Sequence, residues 1–505
     1  MSRPVVRAAG CGIAASAVGL TATELAGALL APSRPSLVSS VASRVVVALA
    51  GPLRDPAVRL FGTNDKAALV TGIVVVTLAV GATVGVLARH LPPVGPLAFA
   101  GFAAAGAWAA WRDPNAAPAT STLAAATGAL VGSISLRALL GRESRRDERE
   151  AFHDGRRDVV VAFAAMAAMA LAGTQGARWL RERSRPIRRA GDLPAPRRTA
   201  EVPPQQPFPL DGLDPYITAA TDFYRIDTAV FVPSIDPATW RLSIDGMVEH
   251  PRTYSYEQLL TMPMVEEVVT LACVSNDVGG HLVGNARWLG VPLRDLLAHA
   301  GVHPAATQIV GRAADDFSVN VATADALDGR VALVAVGMNG APLPAKHGYP
   351  ARLVVAGFYG YASATKWLTS IELTRREDHD SFWVERGWAK DGPIRLQSRF
   401  DTPRPGARLA ADAVHLGGMA WGPAGGVGLV EVSIEGGPWR TARLGFVSTG
   451  DTWVQWSYEW ADPTPGDHVA AVRATDVHGA VQTDRPSPPE PSGATGLHYR
   501  SFSVA

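Results

Sequence analysis

The sequence predicts a multi-domain protein: an N-terminal α-helical transmembrane bundle, a Pro/Arg-rich linker, a mixed α/β domain and a terminal β-sandwich. Three observations carry this reading. Long apolar runs crowd into the first part of the 505-residue chain. A proline-rich, polar stretch then interrupts them. Beyond it come short apolar runs broken by turn formers, and the last of these are strand-like throughout. The expected boundaries are 1–182 for about five spanning helices, 183–211 for the linker, 212–401 for the α/β domain and 402–505 for the sandwich.

The bundle follows from the solvent. Lipid offers no partner to backbone polar groups, so apolar runs of about 18 residues or more read as spanning helices. Five runs qualify: 8–30, 67–88, 94–111, 120–140 and 159–180. The stretch 36–53 is also apolar, but Arg44 interrupts it and it reads as interfacial or re-entrant. Arg3 and Arg7 favour a cytoplasmic N-terminus, and five spans then place the C-terminal half outside. The arginines from Arg178 to Arg189 pull the other way. Arg156-Arg157, before the fifth run, is either a topological anchor or a twin-arginine export address. His90 and His153 sit at helix ends, so no haem is expected between helices. No intramembrane acid is read as a transport site. The helices read as an anchor or docking surface.

The linker "PAPRRTAEVPPQQPFPLDG" (194–212) is an extended, semi-rigid spacer. After it, "VALVAV" (331–336) and "ARLVVAG" (351–357) read as strands. "VPLRDLLAHAG" (291–301) has helical spacing at Leu293, Leu296 and Leu297, closed by a glycine. "LVEVSIEGGPWRTARL", "WVQWSYEW" and "HVAAVRATDVHG" alternate with Gly-rich turns, as a small sandwich requires.

The net charge is +1, so no global field favours nucleic acid. The two cysteines are Cys11 and Cys273. One lies in the first apolar run and one deep in the C-terminal half, and no disulfide is expected. Cys273 follows the strand-like "EEVVTLA" and precedes the turn-rich "SNDVGG". It therefore belongs at the carboxyl end of a strand, where open α/β sheets bind ligands. A buried structural thiol is one reading. A nucleophile lacks a patterned base, and zinc lacks further sulfur or histidine at ligand spacing. A single thiolate does complete a metal centre whose other ligands come from an organic cofactor.

Four ordered segments give that last reading a family. "TLACVSNDVGGHLVGNARWLGVPLRDLLAHAG" resembles the molybdenum-cysteine segment of the sulfite oxidase family, with Cys273, Asn276, Ala286-Arg287-Trp288, Gly290 and Leu293-Arg294-Asp295 in place. "DFYRIDTAVFVPSIDPATWRLSIDGMV" resembles the segment that brings an arginine to the site, here Arg225. "GMNGAPLPAKHGYPARLVVAGFYGYASATKW" resembles the cofactor-binding stretch. "VEVSIEGGPWRTARL" resembles the family's Ig-like dimerisation domain. The likeness spans about residues 212–505.

The resemblance implies an oxidoreductase with a sulfite-oxidase-type molybdopterin domain and a molybdenum-molybdopterin cofactor (Moco). Cys273 would ligate the metal and Arg225 face the substrate or the metal oxo group. Asn276, Arg287, Asp315, His347, Arg352, Thr365 and Lys366 would hold the cofactor, whose phosphate and pterin need cationic and hydrogen-bonding groups. Partners implied are a small-molecule oxo donor or acceptor, a separate electron-transfer protein or membrane carrier, the membrane, and a second copy as homodimer, with no nucleic acid. The expected location is the cell membrane, multi-pass, with the soluble part extracytoplasmic. Several family positions differ. Val278 stands where an arginine is expected, Asp227 where a histidine is, Gly387 or Trp388 for a tyrosine, and "SGATGLHY" lacks the late arginine. Fewer cations weaken the case for sulfite, a small dianion. Arg395 and Arg399 either rebuild a polar pocket or belong to an ordinary solvated loop. Reductive oxo transfer, as in a sulfoxide reductase, and a non-catalytic membrane receptor are the rival readings.

Overall fold

A computed structural model describes residues 3–49, 65–147, 173, 176–177, 179–181, 183, 193–203, 207–410 and 413–505. The chain divides into two compact units, 1–187 with 227–234, and 188–226 with 235–505.

The first unit is helical. Its described helices are α1 (Arg3–Leu30), α2 (Leu37–Leu49), α3 (Asp65–His90), α4 (Val94–Trp111) and α5 (Pro118–Asp147). Four stretches, Pro4–Leu30, Lys66–His90, Val94–Trp111 and Pro118–Arg142, are long and apolar enough to cross a membrane. The expected fifth span and Arg156-Arg157 lie almost wholly outside the described residues. Without a hydrophobic drive between helices in lipid, small residues let backbones approach. A Cβ on Gly12 would sit 2.0 Å from Gly81 O, one on Gly85 2.2 Å from Ala8 O, and one on Gly128 1.8 Å from Thr23 Oγ1. The first apolar run does contain one acid. Glu24, six residues before the end of α1, pairs with Arg181 Nη1 at 2.8 Å, which compensates the charge.

The second unit is sheet-rich, and its strands, numbered along the chain, form four sheets among the described residues. The first contains β1 (Arg241–Gly246), β2 (Arg252–Ser255), β5 (Gln308–Ala313), β6 (Ser318–Ala322) and β10 (Leu368–Thr374), in the order β2-β1-β10-β5-β6. Only β1 and β10 run parallel in it. The second contains β3 (Val265–Ala272), β4 (Val283–Pro292), β7 (Ala332–Met338), β8 (Ala341–Pro342) and β9 (Arg352–Val355), all antiparallel. The helix α7 (Leu293–Ala300), after the short α6 (Tyr256–Thr261), buries Leu293, Leu296, Leu297 and Ala300 and ends at Gly301, as its spacing predicts. The predominance of antiparallel pairs changes the reason for Cys273's position. Its loop is a hairpin connection between β3 and β4, not the open end of a parallel sheet.

Two further sheets share one core. One has β11 (Gln397–Thr402), β13 (Ala413–Trp421), β16 (Arg443–Leu444) and β17 (Val454–Ala461); the other has β12 (Ala407–Leu409), β14 (Val427–Ile434), β15 (Arg440–Thr441), β18 (Gly466–Asp476) and β19 (His498–Val504). Leu416, Val432, Trp456, Val472 and Phe502 meet inside. These sheets are joined to β3. Thr270 N donates to Asp451 O at 3.0 Å, and Thr270 Oγ1 accepts from Trp453 N at 2.7 Å.

The glycine contacts of the first unit give a test. Gly12→Leu in the full chain in detergent forces α1 from α3 and is expected to cost about 1–3 kcal/mol in denaturant titration, as overpacking does. Gly72→Leu, at a position with nothing within 4 Å, is expected to leave stability unchanged.

Candidate active site

Cys273 is 7% exposed at the head of the ten-residue connection between β3 and β4. Its backbone closes that loop. Cys273 N donates to Leu282 O at 2.8 Å, and Cys273 O accepts from Asn276 N at 3.0 Å. Asn276 Oδ1 accepts from Leu282 N at 2.7 Å. Gly279, at φ +77°, and Gly280 make the return turn; a Cβ on Gly280 would meet Asn276 Oδ1 at 2.6 Å. Turn formers that the sequence places after Cys273 thus hold the thiol at a fixed depth.

Beside the loop, residues 218–226 are stitched to the stretch 346–366 by basic side chains. Lys346 Nζ donates to Thr221 O at 3.2 Å, His347 Nε2 to Ala220 O at 2.8 Å and Lys366 Nζ to Ile226 O at 3.4 Å. His347 is 1% exposed. Burial, with help from Arg352 and the two lysines, lowers its pKa to about 3, so the ring is neutral. Arg352 lies over the Trp288 ring at 4.8 Å and donates to His347 O at 3.1 Å. Phe223 sets its edge against Trp288 and His347 and stacks on Tyr224.

Tyr224 and Tyr359 are electrostatic neighbours of Cys273. Burial raises both phenols above their ordinary range, Tyr359 to about 12, and the sulfur adds to it. Both are therefore neutral hydroxyls at working pH. Tyr359 Oη accepts from Arg395 N at 3.2 Å. Arg352 is the neighbour that acts on Tyr224 in the opposite sense.

The sequence-predicted residues divide into groups. Cys273 and Asn276 share the hairpin loop, and Arg225 adjoins Tyr224 and Ile226. His347, Arg352 and Lys366 form the neighbouring cradle. Asp315 is in the turn between β5 and β6, its Oδ1 accepting from Phe317 N at 3.4 Å, and the preceding Ala314 N donates to Trp367 O at 2.9 Å. Arg287 stands on β4, its N donating to Asn339 Oδ1 at 3.0 Å and its head 3.7 Å from Glu266. Thr365 is fully buried and its hydroxyl donates to Gly311 O at 3.4 Å. Arg399 is not in a solvated loop: it is 1% exposed and ion-paired to Asp401 and Asp214. Arg395 is spent on Ser492. Neither Cys11 nor Cys273 is in a disulfide, as expected.

A family model described as "Oxidoreductase molybdopterin binding domain" matches residues 229–383. Human mitochondrial sulfite oxidase is 29% identical over 303 residues, covering 50% of this chain and 55% of that protein. The uncharacterized oxidoreductase YuiH of Bacillus subtilis is 33% identical over 165 residues, covering 33% of this chain and 80% of that one. The chain belongs to the sulfite oxidase family. Sulfane dehydrogenase SoxCD from Paracoccus pantotrophus shares its fold, with a TM-score of 0.50 at 23% identity over 58% of this chain and 85% of that one. The chain spans about half the length of the curated sulfite oxidases it matches.

As a member of the sulfite oxidase family, the chain carries an oxidoreductase molybdopterin-binding domain over residues 229–383, and its residues fit that cofactor. Asn276 Nδ2 and Arg352 Nε are buried donors with no protein acceptor among the described residues. Buried donors need acceptors, and an anionic, acceptor-rich molybdopterin supplies them. Gly348, at φ +111°, lets Lys366 and Arg352 pack close together, since a Cβ there would fall 3.0 Å from Lys366 Cα. Sequence reasoning missed Tyr224 and Tyr359, although both stand inside quoted segments, as "FYR" and "GFYGY". Their placement beside Cys273 is set by tertiary packing.

Two neutral histidines give a pH test. His347, near 3, and His498, lowered to about 4 mainly by burial, both bind protons more weakly folded than unfolded, against an ordinary 6.5. Their contribution to stability is complete above pH 6.5 and is lost as pH falls towards 4 and 3. Denaturant titrations of His498→Asn between those limits are expected to show a shallower pH slope, by about one proton.

Proposed function

We propose a membrane-anchored oxidoreductase that transfers an oxygen atom to or from a small molecule. Bound molybdopterin would supply the two-electron chemistry at molybdenum. Cys273 ligates the metal, and Arg225 faces the substrate with Tyr224 and Tyr359. His347, Arg352, Thr365 and Lys366 hold the cofactor, with Asn276, Arg287 and Asp315 in support. The observation that carries this reading is Cys273: a buried thiol, fixed by its own loop, beside a cradle with unpaired donors.

The domain limits proposed are 1–182, 183–211, 212–401 and 402–505. The last is an Ig-like β-sandwich, a shape supported by the two sheets around one core, and it serves dimerisation. The apolar helices support multi-pass anchoring. The catalytic part lies outside the cytoplasm and passes electrons to or from a separate protein or membrane carrier. Arg156-Arg157 then acts as the export address for a domain that folds around its cofactor first.

One observation favours the reductive direction as a second reading. The groups beside Cys273 include two neutral phenols, which suit an uncharged sulfoxide-like substrate better than a dianion. Dye-linked assays run in both directions separate the two; faster oxidation of sulfite than reduction of sulfoxides would remove the second reading.

Purified full-length protein from a cofactor-competent host is expected to carry molybdenum and pterin in stoichiometric amounts. A metal-free preparation from that host would refute the function. Cys273→Ser should lower activity by more than roughly 100-fold, since even outer-shell changes at metal sites cost about 10–100-fold. Arg352→Gln is expected to lower pterin content while the chain stays folded.

A further inference from the structure

The guanidinium of Arg399, on β11, has every edge engaged. Nε donates to Asp401 Oδ1 at 2.7 Å, Nη2 pairs with Asp214, and Nη1 donates to Gly280 O at 2.9 Å. Gly280 belongs to the Cys273 loop, and a Cβ on it would fall 2.6 Å from Asn276 Oδ1, the atom that closes that loop. A second grip comes from β19. His498 Nδ1 accepts from Phe400 N at 3.0 Å, which fixes the ring. The ring then stands directly against the turn, since a Cβ on Gly279 would fall 2.5 Å from Nε2. A buried ion network is a weak source of stability, and its best-attested use is to specify one arrangement. Arg suits that use because its planar fork fixes direction as well as charge.

We infer that Arg399 and His498 are positioning residues for the Cys273 sulfur, acting through the Gly280 carbonyl and the Gly279 turn. The C-terminal strands therefore hold the active-site loop, apart from any role in dimerisation. Arg399 serves this loop and not the substrate, which separates it from the pocket arginines that the family resemblance suggests. The inference rests on the proposal that Cys273 ligates molybdenum.

The test uses the full chain in detergent in a Cys11→Ala background, with Arg399→Met, Arg399→Lys, Gly279→Ala and Gly279→Ala/His498→Asn. In cofactor-free protein, Cys273 alkylation by iodoacetamide is expected to quicken about tenfold in Arg399→Met, the factor that loss of a charge-assisted hydrogen bond carries in an opening equilibrium. In loaded protein, the paramagnetic molybdenum signal of the half-reduced state should shift and broaden at unchanged molybdenum content. Arg399→Lys restores part of both. Gly279→Ala should disturb the signal, and His498→Asn, which keeps an acceptor for Phe400 N, should relieve the disturbance. Unchanged alkylation and an unchanged signal in folded Arg399→Met would overturn the inference. Should Arg399→Met fail to fold, the Gly279 pair decides: no relief by His498→Asn overturns it. A wild type without molybdenum would instead defeat the function proposed above, so the two failures are distinguishable.

Discussion

Closure of one hairpin loop around one sulfur is the constraint on which the rest of the structure depends. A thiolate offered to a metal must be held at a single depth and direction, and a ten-residue connection is too long to do that alone. The loop solves this locally, through the Asn276 side-chain Oδ1 and the backbone bonds of Cys273. It also solves it from a distance, through Arg399 on β11, which holds the loop, while Asp451, between β16 and β17, holds the preceding strand at Thr270. The sheet beneath is antiparallel, so the flanking strands are fixed at both ends by hydrogen-bonded neighbours. Rigid support of this kind is what a preorganised site requires.

The cradle beside the loop follows a related economy of charge. Lys346, His347 and Lys366 each cap a backbone carbonyl of residues 218–226, which draws the segment bearing Tyr224 and Arg225 against the cofactor stretch. Burial keeps His347 neutral, so the cations near an anionic ligand are Arg352 and the lysines. Arg352 is held over an aromatic face with one donor unspent, which suits a site made to receive acceptors. The phenols at Cys273 keep their protons through the same burial. Their neutrality ties the geometry to the question of substrate charge.

Much of this was legible in the sequence where the signal is local. Cys273 ends a strand because apolar β-formers precede it and turn formers follow. The helix at Leu293–Ala300 shows its buried face and terminal glycine directly. The ordered segments assign Asn276, His347 and Arg352 to one cofactor, as the family resemblance implies. What the sequence hid is long-range. Arg399 meets Gly280 across 119 residues and Asp214 across 185, so "QSRF" reads as an ordinary loop or pocket residue. Glu24 meets Arg181 across 157 residues, and its compensation is invisible from the apolar run that contains it. The pairing sense of the strands was also hidden, because short apolar runs look alike in parallel and antiparallel sheets. Val278 and Asp227 mark departures that sequence reports and packing alone interprets.

The central claim is that the Cys273 sulfur is bonded to molybdenum. X-ray absorption at the molybdenum edge reads it directly, by counting sulfur scatterers around the metal in wild type and in Cys273→Ser. The account predicts one more sulfur neighbour in the wild type. Equal numbers in two proteins that both retain the metal would contradict it.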